Sequence, residues 1–183
     1  MLYIGYVDIL NNSDNLIIDE DFSLLREKYI NSINDFKRKK QSYYAWKLLA
    51  KMLKDIGFNI RNYDIIMLKN GKWVCSGNHF YFNLSHSKNI VAVSLSVDSN
   101  NAIDVEFVQE RNYRIIYKNQ RNISLDMSDI INSTELCTIK ELEYKGNFQY
   151  KKSSLIQDEL GNDYVLSFSY ELNKNFNIKK YTL

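Results

Sequence analysis

The sequence predicts an α+β fold, on three observations. The opening "MLYIGYVDIL" alternates as a strand does, and two stretches of helical spacing follow it. From residue 80 onward strand alternation dominates, interrupted by one further helix. Two parts of the chain each contain a helix and end in strands, "NIVAVSLSV" and "DYVLSFSYEL", which suggests a loose internal symmetry.

Each element has its own signal. After the first strand, "NNSDN" is a turn cluster. "DEDFSLLREKYINSI" has amphipathic spacing, with acids at its start where a helix N-terminus favours them. "QSYYAWKLLAKMLKDIG" sets Ala45, Leu48, Leu49, Met52 and Ile56 along one face, and Gly57 stops it. A basic run at 37–40 precedes that helix. "YDIIMLKNGKWVCSG" reads as a strand, an Asn-Gly turn and a second strand. Residues 80–108 read as a three-strand meander. In its last strand Ile103, Val105 and Phe107 alternate with Asp104 and Glu106, so the apolar set faces the core and both carboxylates face the other way. Residues 109–131 carry no clear pattern. "NSTELCTIKELEYKG" then reads as a helix, with Asn132 and Glu135 at capping-box spacing and Gly146 at its end.

Bulk properties exclude several classes. A chain of 183 residues, 45% hydrophobic and 25% charged, has ordinary globular composition. A net charge of +2 does not mark a nucleic-acid binder. Cys75 and Cys137 belong to no metal-ligand spacing, so free thiols in a reducing compartment are expected. The N-terminus lacks the basic flank and long apolar run of a signal peptide, and no segment approaches the ~20 apolar residues of a membrane span. A cytoplasmic protein with no nucleic-acid or membrane partner is the expectation.

Three features carry chemistry. Asp104 and Glu106 on one strand face repel unless a cation or water relieves them, and a divalent ion with oxygen ligands does so. Glu141 and Lys145 share a helix face, offering a third carboxylate and a phosphate-facing cation. The loop Ser85-His86 can donate to an anion. Each alone suits an ordinary surface; together they describe a site for a divalent ion and a phosphate.

These residues resemble the 4′-phosphopantetheinyl transferase superfamily. "FNLSHS" at 82–87, "AIDVE" at 102–106 and "TIKELEYK" at 138–145 match its F-N-x-S-H-S, G-I-D-x-E and W-x-x-K-E-x-x-x-K signatures in order and spacing. "NGKW" at 70–73 is similar to its G-K-P turn. The resemblance implies the longer, monomeric type of the family. In that type two similar α/β halves form an intramolecular pseudo-dimer, here 1–101 and 102–183, with the active site between them. It implies transfer of the phosphopantetheine arm of coenzyme A to a serine of an apo acyl or peptidyl carrier protein, with 3′,5′-ADP released. Asp104, Glu106 and Glu141 would hold Mg²⁺, Glu141 would act as base, and Lys145 would sit on the diphosphate. Coenzyme A would be bound by Ser85, His86, Gly71 and Lys72, and by Lys47 or the run at 37–40. Phe148 and Tyr150 would offer exposed aromatic contacts to the carrier.

The chain departs from the family pattern at Cys137 (usually Trp), Ala102 (usually Gly), Trp73 (usually Pro) and Trp46 (a phosphate-binding arginine). No F-x-x-x-E segment is recognisable in 111–129. Two alternatives stand beside the transferase. One is a non-catalytic relative that binds coenzyme A or a carrier. The other is a metal-dependent nuclease built on Asp104 and the E-x-K of Glu143 and Lys145.

Overall fold

The computed structural model, which describes residues 1–116, 126–146, 148–171 and 175–183, has two main sheets and a two-stranded hairpin, with helices outside the main sheets. The fold is α+β. Strands β1 (Leu2–Asp8), β4 (Tyr81–Ser87), β5 (Ile90–Ser96) and β9 (Phe176–Lys180) make the first sheet, in the order β4-β5-β1-β9. Strands β6 (Asn101–Phe107), β7 (Tyr150–Gln157) and β8 (Asp163–Tyr170) make the second, in the order β6-β8-β7. Residues beyond 101 thus build the second sheet, except that β9 returns to pair in parallel with β1. The return of β9 carries the chain back across the 101/102 boundary.

Alternate residues on each strand feed different cores. Val7, Val91, Val93 and Leu95 face helix α2 (Phe36–Asp55), with its Leu48, Leu49, Met52 and Leu53. Leu2, Ile4, Ile90 and Ala92 face the other way, onto Ile103, Val105, Leu166 and Phe168 of the second sheet. The remaining face of the second sheet is covered by α4 (Met127–Lys145), where Leu142 packs on Ala102 and Phe148. The layers run helix, sheet, sheet, helix. Gly5 is glycine because α2 sits directly on β1: a Cβ there would collide with the Met52 sulfur.

Several boundaries differ from the sequence reading, each for a local reason. Ser23 caps α1 (Leu24–Asn31) by accepting from Arg26 N, so the acids at 19–21 stay outside the helix. Asp35 caps α2, accepting from Arg38 N at 2.7 Å, which places the basic run inside the first turns of the helix. Gly57, at φ +85°, ends it as expected. Asp126 caps α4 by accepting from Asp129 N at 2.9 Å, so Asn132 is an exposed mid-helix residue and no cap. A short α3 (Glu110–Ile116) precedes it. β2 (Ile65–Met67) and β3 (Trp73–Cys75) form the expected hairpin, with Gly71 at φ +83° in its turn.

The expected meander is the largest difference. β4 and β5 pair, but β6 leaves them for the second sheet and meets β4 through side chains. Asn83 Oδ1 accepts from Ile103 N (3.3 Å), Ser85 Oγ from Val105 N (3.2 Å), and Ser87 Oγ from Phe107 N (3.1 Å). Asn101 Nδ2 donates to Tyr81 O at 3.0 Å. Every contact has a sequence offset of 20, so the two strands run parallel in fixed register. Free N–H groups along an edge strand invite unwanted pairing. Here β4 side chains occupy them.

Candidate active site

The same seam builds the acidic site. While Ser85 Oγ accepts from Val105 N, it donates to Asp104 Oδ1 at 2.8 Å. One period further, Ser87 Oγ accepts from Phe107 N and donates to Glu106 Oε2 at 3.0 Å. Each serine thus fixes one carboxylate. From α4, Lys145 Nζ reaches Ile103 O at 2.7 Å and Asp104 Oδ1 at 3.0 Å. Both side-chain donors use Oδ1; Oδ2 receives no hydrogen bond among the described residues. Thr138 anchors the helix above the site, sharing a 2.6 Å hydrogen bond with Ser167 of β8.

Burial and mutual repulsion dominate the electrostatics of the acids. Burial pushes the Asp104 carboxyl above the ordinary range, against the pull of Lys145 and Ser85, and the charge of Glu141 adds to the rise. Burial also raises Glu106, with Asp104 adding repulsion. Glu141 is exposed, one turn before Lys145. Among the described residues no three of His, Cys, Asp and Glu are close enough to form a preassembled metal cage. Asp104 and Glu106 share a strand face, the charge of Glu141 reaches Asp104, and the donor atoms of all three are oxygens. That set fits Mg²⁺, which takes one or two carboxylates and completes its shell with water and substrate phosphate.

His86 points the other way from Ser85, as strand alternation requires. With Tyr29, Asn34, Asp35, Arg38 and Ser42 it lines a cleft of about 430 Å³ between α1, α2 and β4. Its ring keeps solvent contact, yet loss of water is the largest cause of a depressed pKa, with the charges of Arg38 and Lys145 adding to it. His86 therefore belongs to the cleft, on the opposite side of β4 from the acidic site. Arg38 lay within the predicted basic run but had not been singled out.

Other expected residues lie elsewhere. Gly71 and Lys72 border a separate small cavity of about 110 Å³ against Phe82, Asn83 and Leu84. Lys47 faces away from His86 and pairs with Asp19 at 2.5 Å and Asp21 at 3.5 Å. It lies nine residues after Arg38, half a turn out of phase on a helix of 3.6 residues per turn. Phe148 is buried, because Gly146 has no side chain to keep its ring out, and Tyr150 stacks on Tyr170 at 5.5 Å. The exposed aromatic of this region is Tyr144, at 88%. Glu143 pairs with Lys151 at 2.6 Å while Lys145 turns to Asp104, so the E-x-K letters do not share a face as a nuclease needs. Cys75 is buried, Cys137 is half-buried, and both are free thiols.

No protein-family model matches the chain, and no curated protein matches it. Among the described residues no helix is long and apolar enough to cross a membrane.

Proposed function

We propose that the chain is a 4′-phosphopantetheinyl transferase. It moves the phosphopantetheine arm of coenzyme A to a serine of an apo acyl or peptidyl carrier protein, as a cytoplasmic monomer whose two α/β halves act as a pseudo-dimer. One observation carries the reading. The three motifs, far apart in sequence, meet in a single hydrogen-bonded chain: Ser85 of F-N-x-S-H-S holds Asp104 of I-D-x-E, which pairs with Lys145 of K-E-x-x-x-K.

In this reading the carrier serine Oγ attacks the phosphorus that bears pantetheine, and the bond to 3′,5′-ADP breaks. Glu141, exposed beside the acids, takes the serine proton. Asp104, Glu106 and Glu141 would hold Mg²⁺, which would supply charge neutralisation at the diphosphate when bound. Lys145 stabilises the negative charge that develops on the leaving group. Arg38 and His86 hold the adenosine-side phosphate in their cleft. Anion binding there favours protonated His86, whose pKa burial depresses, so the contribution of His86 to 3′,5′-ADP affinity grows as pH falls below the ordinary histidine range.

The test is intact-mass spectrometry of apo carrier proteins incubated with the chain, coenzyme A and Mg²⁺. Gain of one phosphopantetheine arm, abolished by EDTA and reduced about 10²–10⁴-fold in Glu141→Gln, is the expected result. Coenzyme A binding with no transfer on any carrier would favour the non-catalytic relative. That second reading draws on the Asp104–Lys145 ion pair, which already occupies one carboxylate oxygen. Lys47→Ala, by contrast, leaves coenzyme A affinity within about twofold, since its partners are Asp19 and Asp21 on a half-exposed surface.

A further inference from the structure

Among the described residues Arg26 is a buried charge without a counter-charge. Its side chain leaves α1 for the interior and the residue is 1% exposed. The guanidinium lies over the rings of Trp46 (4.7 Å), Trp73 (4.9 Å) and Tyr29 (5.1 Å). Nη2 donates to Ser42 O at 2.7 Å and to Ser42 Oγ at 2.8 Å, while the buried Nε has no hydrogen-bond partner. Among the described residues no carboxylate pairs with it. Burial lowers its pKa to about 10, which leaves it fully charged at neutral pH.

An aromatic cage alone does not require this charge. A methionine or leucine would fill the space without desolvating a cation or orphaning Nε, and such replacements are often neutral or stabilising. What distinguishes the position is its neighbour. Tyr29 and Ser42, two of the four residues that grip the guanidinium, also line the cleft of Arg38 and His86. The single acid on that lining, Asp35, is engaged at the α2 N-terminus. A positive charge held in a low-dielectric wall, unscreened by a carboxylate, projects further than one in water.

We propose that Arg26 is a positioning residue for a phosphate-bearing ligand in the Arg38–His86 cleft, its missing counter-charge being supplied by the ligand's phosphate. This deepens the reading of that cleft given above and rests on it. Arg26 acts from behind Ser42 and Tyr29, without touching the ligand. Its charge is fixed there at the expense of stability.

The experiment is calorimetric titration of the full chain with 3′,5′-ADP, with adenosine as the uncharged control, for wild type, Arg26→Met and Arg26→Lys. Expected are an Arg26→Met protein that melts no lower than wild type and binds 3′,5′-ADP about tenfold more weakly. Adenosine binding should be unchanged, and Arg26→Lys should recover part of the loss. In wild-type protein labelled with ¹⁵N-arginine, the Arg26 Nε–H resonance should shift and saturate with the same Kd. This second measurement stands even if Arg26→Met does not fold. Equal affinity in folded Arg26→Met, or an Arg26 resonance unmoved at saturation, overturns the role of Arg26 and leaves the cleft intact as an anion site. Wild type that binds no 3′,5′-ADP overturns the cleft reading and this inference with it.

Discussion

Asp104→Asn should cut phosphopantetheine transfer by about 10²–10³-fold and yet make the protein more stable at neutral pH. The activity loss follows from removing the best-ordered carboxylate of the site, and losses of about 10²–10³-fold are usual when one such electrostatic group is removed. The stability gain follows from linkage. Asp104 is buried, and its folded pKa lies above the unfolded value of 3.8. The folded protein therefore holds this proton more tightly than the unfolded chain does. Stability contributed by the group is present below the unfolded pKa and is lost as pH rises through the raised folded pKa. Asparagine has no such proton to lose. The melting temperatures of wild type and Asp104→Asn should thus lie close together near pH 4 and separate by pH 7, with the variant higher. Mg²⁺ should raise the wild type at pH 7 and leave the variant unmoved. A variant that keeps more than about a tenth of wild-type transfer would remove Asp104 from the metal set. A gap that does not change with pH would show that Lys145 fully compensates the buried carboxylate.

The local content of this site was legible in the sequence, and its long-range content was not. Alternation of Ile103 and Val105 with Asp104 and Glu106 set the correct faces, because strand geometry is local. The α2 face of Ala45, Leu48, Leu49 and Met52 followed from helical spacing in the same way, and all four are buried. Register between distant strands has no such local signal. Asn83, Ser85 and Ser87 showed a polar period of two, but nothing in the letters said that it would mate with β6 at an offset of 20. The letters suggest Ser85 as a donor to phosphate, whereas in the structure its O–H is given to Asp104 while its oxygen accepts from Val105 N. Lys47 follows Trp46, which stands where the resemblance places a phosphate-binding arginine, and so offers itself as a substitute cation. Its pairing with Asp19 and Asp21 depends on how the 10–23 segment lies along α2, which spacing does not encode. Trp46 and Trp73 looked like two unrelated departures from a family pattern. In the structure their rings lie 5.5 Å apart and share one guanidinium, so they form a single feature.

Disruption of the β4–β6 seam should have the largest effect on stability. Ser85→Ala leaves Val105 N–H at the buried edge of β6 without a partner, at a cost of about 1–3 kcal/mol. It also removes a donor from Asp104, whose carboxyl then titrates still higher, so the acidic limb of the pH–rate profile moves up. Combining Asn83→Leu, Ser85→Ala and Ser87→Ala orphans the N–H groups of Ile103, Val105 and Phe107 together. Three such losses amount to about 3–9 kcal/mol, comparable with the whole stability of a typical domain, and the triple variant should fail to fold cooperatively at 25 °C. Ser128→Ala is the control: its hydroxyl donates to Asp126 on the exposed start of α4, and its loss should stay within about 0.5 kcal/mol. Urea unfolding followed by circular dichroism separates these cases. A triple variant as stable as wild type would mean that Leu2, Ile4, Ile90 and Ala92 against the second sheet hold the halves together without help from the zipper. The serines would then be needed only to aim Asp104 and Glu106, and activity would fall while the melting curve stayed in place.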